Sequence, residues 1–271
     1  MKQQTSSWTA PVLTVVAVAV SIVGAFIGSG VWVGTPISEA AGGWLSTTAT
    51  PLAPGEGAFR IWSVIYLGLA GYAVWQLGGA ARASTRQRAL RPWAILSAAL
   101  NAAWVWMVQL GLLTGSVLVI IALLIVLVRM LILLTASRPG SWAELILSDG
   151  AFGLYLGWVC VATVANISAW LGSLGATTFT GWTVAAYAVL AVAAAVGIGM
   201  AVYTGGRFAP SLSLFWGLLW IAAGRFGGAP EWEDVAWGAA AGGVAVLAAT
   251  VLVRVRSKLP LSPQRPSADS R

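Results

Sequence analysis

Apolar residues recur through this chain in eight stretches, each near the roughly 20 residues that a helix needs to cross a bilayer. They cover residues 11–33, 58–77, 92–110, 114–136, 142–171, 182–204, 210–223 and 235–253, the seventh being the shortest. Short turns separate most of them, and one long connection, residues 34–57, is rich in Gly, Ser and Thr. The pattern predicts an all-α polytopic membrane bundle of about eight transmembrane helices. The first stretch is longer than the apolar part of a secretion signal, and no clear cleavage motif follows it, so it reads as a retained helix. Residues 257–271, with Pro260, Pro263 and Pro266, read as a disordered cytoplasmic tail. A connection as long as 34–57 is often a lid.

Charge then orients the spans. With the amino terminus inside, twelve of the fifteen basic residues fall on inside segments: Lys2; Arg82, Arg86, Arg88 and Arg91; Arg138; Arg207; and Arg254, Arg256, Lys258, Arg265 and Arg271. The outside keeps Arg60 and Arg225, both at helix ends, with Glu39, Glu56, Glu231, Glu233 and Asp234. The reverse orientation breaks the positive-inside rule at nearly every loop. The expectation is a cytoplasmic-membrane protein with both termini inside. The net charge of +7 is thereby an orientation signal and implies no nucleic-acid partner; the expected partner is the lipid bilayer.

Composition narrows the chemistry. The chain is 59% hydrophobic and 8% charged, which no soluble fold of 271 residues would accommodate. The single cysteine, Cys160, excludes an intrachain disulfide. Without histidine there is no usual haem ligand, no common zinc ligand and no histidine-based serine triad. Cys, Asp and Glu show no metal-site spacing. No metal, no required cofactor and no catalytic residue is expected. The 16 tryptophans are the unusual feature, because many lie well inside apolar runs, away from the interfaces that Trp favours.

Those tryptophans share helix faces with Tyr and Asn. Trp62, Tyr66 and Ala70 follow at i, i+4 and i+8; Asn101 and Trp104 follow at i and i+3; Tyr155, Trp158, Ala162 and Asn166 lie on one face of the fifth span. A buried Asn must bond something, so these faces point into the bundle. Two readings are open from spacing alone: polar glue between packed helices, or the wall of a cavity for a flat apolar ligand. Trp216 and Trp220 repeat the aromatic style at i and i+4, and the pairs Gly24/Gly28 and Gly153/Gly157 allow close approach of a neighbouring helix, within the chain or across a homodimer.

Three of these motifs together resemble the tryptophan-rich sensory protein/translocator-protein family (the peripheral benzodiazepine receptor family). Trp62-Ser-Val-Ile-Tyr66, Leu100-Asn101-Ala-Ala-Trp104 and Tyr155-Leu-Gly-Trp158, continuing to Ala162 and Asn166, stand in the family's order and separations. Leu154 replaces the family's proline before Tyr155, and Ala53 replaces one of its paired prolines, Pro54 standing for the other. The cholesterol-type motif of animal members is missing, since no basic residue closely follows Asn166. The resemblance covers about residues 10–172. It implies a five-helix domain over residues 1–172, with three additional helices over 173–256. It further implies a pocket for a porphyrin, another tetrapyrrole or a similar planar ligand, often in a dimer. Its candidate wall is Trp62, Tyr66, Asn101, Trp104, Tyr155, Trp158, Ala162 and Asn166, with Arg60 near the outer mouth as a partner for a ligand carboxylate. Sensing, sequestration or transport would follow.

Three acidic or basic residues inside the apolar runs need an account. Ser141-Trp-Ala-Glu144 matches a capping box. Arg129 and Asp149 lie ten residues either side of Pro139, so a hairpin about the Arg138-Pro-Gly-Ser141 turn puts them at one depth. Opposite charges at one depth predict an intramembrane ion pair, either a staple or the working part of a small-solute or proton-coupled transporter.

Overall fold

The computed structural model describes residues 8–28, 35–176, 179–226, 232–257 and 263, and among them every long element is a helix. In chain order these are α1 (Thr9–Gly28), α2 (Ile61–Trp75), the short α3 (Gly79–Ala83), α4 (Thr85–Gln109) and α5 (Leu113–Ala136). They are followed by α6 (Trp142–Glu144), a π-helical turn (Leu145–Gly150) and α7 (Ala151–Ser173), which run on as one stretch. The last three are α8 (Trp182–Thr204), α9 (Phe208–Arg225) and α10 (Glu233–Arg256). Six stretches are long and apolar enough to cross a membrane. The chain is therefore an all-helical, multi-pass membrane protein. α4 and α9 are not among the six: arginines open α4, and α9 is 18 residues long and ends on Arg225. Lys2, Lys258, Arg265, Arg271, Glu231 and most of the expected tail lie outside the described residues.

The start of α4 departs from the sequence pattern. The apolar run begins at Pro92, but the helix begins at Thr85, where the Ser84 side chain accepts from the Gln87 N–H at 3.3 Å. The early turns are stable because their polar side chains are inside the protein. Gln87 and Arg91 are buried, and Arg91 donates to Gln76 Oε1 and to the Ala81 carbonyl, both at 2.7 Å. Ser141 caps α6 as its motif predicts, accepting from the Glu144 N–H at 3.1 Å. The Glu144 carboxylate reaches back to the Gly140 N–H at 2.7 Å, one residue earlier than in the usual reciprocal pair.

α7 is the axis of the bundle. Two thirds of its span is buried (67%), against 22% for α8, which faces outward. α5, α2 and α9 pack on α7; α4 lies along α1 and α5; α10 lies between α8 and α9. Glycines set the closest approaches. A Cβ at Gly157 would overlap the Pro210 carbonyl, and one at Gly153 would come within 2.9 Å of Ala209 Cβ, so this small-residue face seats α9 of the same chain. Gly28 likewise seats Val105 of α4. Two apolar clusters result. One joins α1, α2, α4, α5 and α7; the other joins α8, α9 and α10 to Leu52 and Val161.

Candidate ligand-binding site

Trp62 is the hub of the aromatic residues. Its ring stacks on Tyr66 (centroids 5.2 Å apart, planes 22°) because i and i+4 on α2 share a face. From α7, Tyr155 and Trp158 meet Trp62 edge-on at 5.9 and 6.2 Å. Phe59 closes on Trp158 at 5.9 Å. Thus the faces predicted on spans two and five do meet. α4 contributes the polar links: Asn101 Nδ2 donates to Tyr66 Oη at 3.2 Å, and Trp104 Nε1 donates to Asn166 Oδ1 at 3.3 Å. Asn166 is also tied to α5, donating to Ser116 Oγ at 3.1 Å. All eight candidate residues fall in this one region.

Two cavities adjoin the cluster. The larger, about 350 Å³, lies between α1, α2 and α4, with Phe26, Phe59, Trp62, Tyr66 and Trp104 on its wall. The smaller, about 40 Å³, lies deeper, against Trp158, Ala162 and Asn166 of α7. Phe59, Trp62 and Trp104 stand on the walls of both. Asn101 and Tyr155 line neither cavity; they are buried behind the wall. Three buried polar atoms here have no hydrogen-bond partner: Asn101 Oδ1, Tyr155 Oη and Trp158 Nε1. Buried polar groups are nearly always bonded, so each of these atoms calls for an account.

The long connection covers both cavities. Ile37, Ser38 and Thr47 line the larger, and Trp44, Leu45 and Thr50 the smaller. α9 fastens this cover. Trp216 Nε1 donates to the Ala58 carbonyl at 3.0 Å, the Gly55 N–H donates to the Trp220 carbonyl at 2.9 Å, and Arg225 bonds the Thr47 and Thr50 carbonyls. A Cβ at Gly57 would overlap the Trp220 ring. Sequence spacing identified Trp216 and Trp220 as a pair but gave no sign that they grip residues 55–58. Arg60 is exposed and stands on neither wall; Glu56 does line the larger cavity.

The TSPO-like protein family matches residues 12–253. The chain belongs to that family. Comparison with curated proteins and with solved structures finds no match. The three sequence motifs end near residue 172, whereas the family match runs on through α8, α9 and most of α10. The family match therefore takes in the last three helices as well as the first five spans.

The expected Arg129–Asp149 pair does not form. Asp149 is held by Arg86 of α4, at 2.8 and 2.9 Å, and by Arg207 at the start of α9. Arg86 also reaches Glu144 at 3.2 Å, and Gln87 donates to Glu144 and Ser148 at 2.6 and 3.1 Å. The two guanidiniums that hold Asp149 also donate to the Leu134 carbonyl of α5, at 2.7 and 3.1 Å. The buried stripe of α5 runs through Leu123, Val126, Leu127, Met130, Leu131 and Leu134, which leaves Arg129 on the exposed side, its guanidinium 5.9 Å from the Trp93 ring. Arg86 and Arg207 carried the missing information as orientation charges: two carboxylates in an apolar stretch require cations at the same end.

Proposed function

We propose that this TSPO-like membrane protein binds a planar apolar ligand, of which a tetrapyrrole is the candidate, in the aromatic pocket around Trp62, for sensing, sequestration or transport. The observation that carries this reading is the coincidence at one place of flat aromatic walls and open volume, with the unpartnered Trp158 Nε1 beside the smaller cavity. Packing glue alone accounts for the walls but not for the space. A cavity of about 350 Å³ is within the range of small-molecule sites. The test is a titration with the uncharged dimethyl ester of protoporphyrin, read by tryptophan fluorescence. Saturable quenching that weakens in Trp62→Phe supports the pocket; linear, unsaturable quenching refutes it.

We further propose eight spans, with α4 and α9 crossing as members of the packed bundle, and both termini in the cytoplasm. The basic ends of the helices meet at one face: Arg86 and Arg207 share Asp149, Arg254 donates to the Gly205 carbonyl at 3.2 Å, and Arg82 lies 3.6 Å from the Trp8 ring. That face would be cytoplasmic by the positive-inside rule. In a Cys160→Ala background, Thr48→Cys should react with an impermeant thiol reagent in intact cells and Ser137→Cys should not. The opposite result inverts the topology.

A further inference from the structure

The charge of the ligand follows from the wall of the larger cavity. We infer that this pocket selects a flat aromatic cation over an uncharged analogue, and an uncharged analogue over a carboxylate. The inference rests on the pocket reading above. No Lys or Arg stands on that wall among the described residues, and Glu56 is its one formally charged residue. The ion pairs among the described residues do not include Glu56. The remaining polar side chains, Ser38, Thr47, Ser63 and the Tyr66 phenol, offer hydroxyl oxygens. The aromatic faces add to the same preference. Phe26, Phe59, Trp62, Tyr66 and Trp104 line the cavity, and a cation held over an aromatic face is attracted by the ring quadrupole. A ligand carboxylate meets the reverse: a like charge at Glu56 and no cation on the wall to receive it. Arg60, expected from the sequence to do so, is exposed and off the wall.

Glu56 also opens the 3-10 turn before α2, where an acidic residue favours the helix dipole. A purely structural role predicts equal effects of its removal on every ligand. The experiment therefore holds the ring constant and varies its charge. N-methylacridinium, acridine and acridine-9-carboxylate are titrated near neutral pH into the protein in phosphatidylcholine nanodiscs, with empty discs subtracted. The expected order of affinity is cation, neutral, anion, with about tenfold between cation and neutral. Glu56→Gln should weaken the cation about threefold, the worth of an exposed charge pair, while leaving acridine unchanged, and Glu56→Asp should keep the cation's affinity. Equal affinities of the cation and acridine overturn the inference and leave the pocket standing, as does an equal loss for both in Glu56→Gln. Failure of all three rings to bind overturns the pocket reading and the inference together.

Discussion

At the basic end of the bundle, all four carboxylate oxygens of Glu144 and Asp149 have partners, drawn from α4, the Gly140 backbone and the start of α9. Around Trp62, Asn101, Tyr155 and Trp158 are equally buried and each keeps a polar atom without a partner, and Trp158 stands on the wall of the smaller cavity. Arg82 Nε, Arg86 Nε and Tyr72 Oη are left over at the basic end, with the Tyr72 ring packed edge-on against Phe152 at 4.9 Å. The same bundle thus holds one polar cluster whose carboxylates are matched within the protein and one aromatic cluster that lies against two cavities. Neither burial of polar groups nor an unmet bond separates the two regions; the empty volume does.

The comparison breaks most visibly at Asp149. Asp149→Leu takes from Arg207 the ion pair it has among the described residues and leaves Arg86 with Glu144 alone, and removing one partner of a buried pair costs about 3–5 kcal/mol. Chemical denaturation in detergent should show that loss, whereas Arg129→Leu should change stability by less than about 1 kcal/mol. Similar losses in the two variants would restore Arg129 as a partner. At the other cluster the effect should move from stability to binding. Trp158→Phe should weaken the protoporphyrin ester about threefold to tenfold, the worth of one aromatic contact of about 0.5–1.5 kcal/mol. Trp8→Phe, at the basic end, should leave the affinity as it is. The smallest effect is expected at Asn101. Its Oδ1 bonds nothing in the protein, so Asn101→Leu should cost less than about 1 kcal/mol in denaturation, the scale of its one net hydrogen bond to Tyr66. A loss of several kcal/mol there would mean that Asn101 is structural glue.

Much of this was legible along the chain. Apolar length located all the long helices, and residues 182–204 match α8 end to end. The i, i+4 aromatic faces of α2 and α7 meet because a helix places such residues on one side, and inward-facing Asn fixes which side. What sequence could not supply was azimuth and partnership between distant segments. The hairpin rule could not give Asp149 its neighbours, since Arg86 is 63 residues away and Arg207 is 58. The buried stripe of α5 would have excluded Arg129, because 129 falls between its positions. The early start of α4 was hidden for the same reason: Arg86 and Arg91 look like loop charges until their partners on α2, α6 and the π turn are known. The grip of α9 on residues 55–58 depends on Gly55 and Gly57 meeting Trp220 across the fold, a contact without local signature.

The central claim is that the aromatic cluster beside the cavities is a ligand site and the cluster with matched charges is not. Ser63 lines the larger cavity, and Ser137 is exposed at the basic end. In a Cys160→Ala background, Ser63→Cys and Ser137→Cys each place one thiol at one of the two regions. Their rates of reaction with a maleimide, in detergent with and without saturating protoporphyrin ester, decide the matter. The account predicts about tenfold slowing at position 63, where a bound ligand occupies about 90% of the sites, and no change at position 137. Equal rates at position 63 with and without the ester, or equal slowing at both positions, would contradict it.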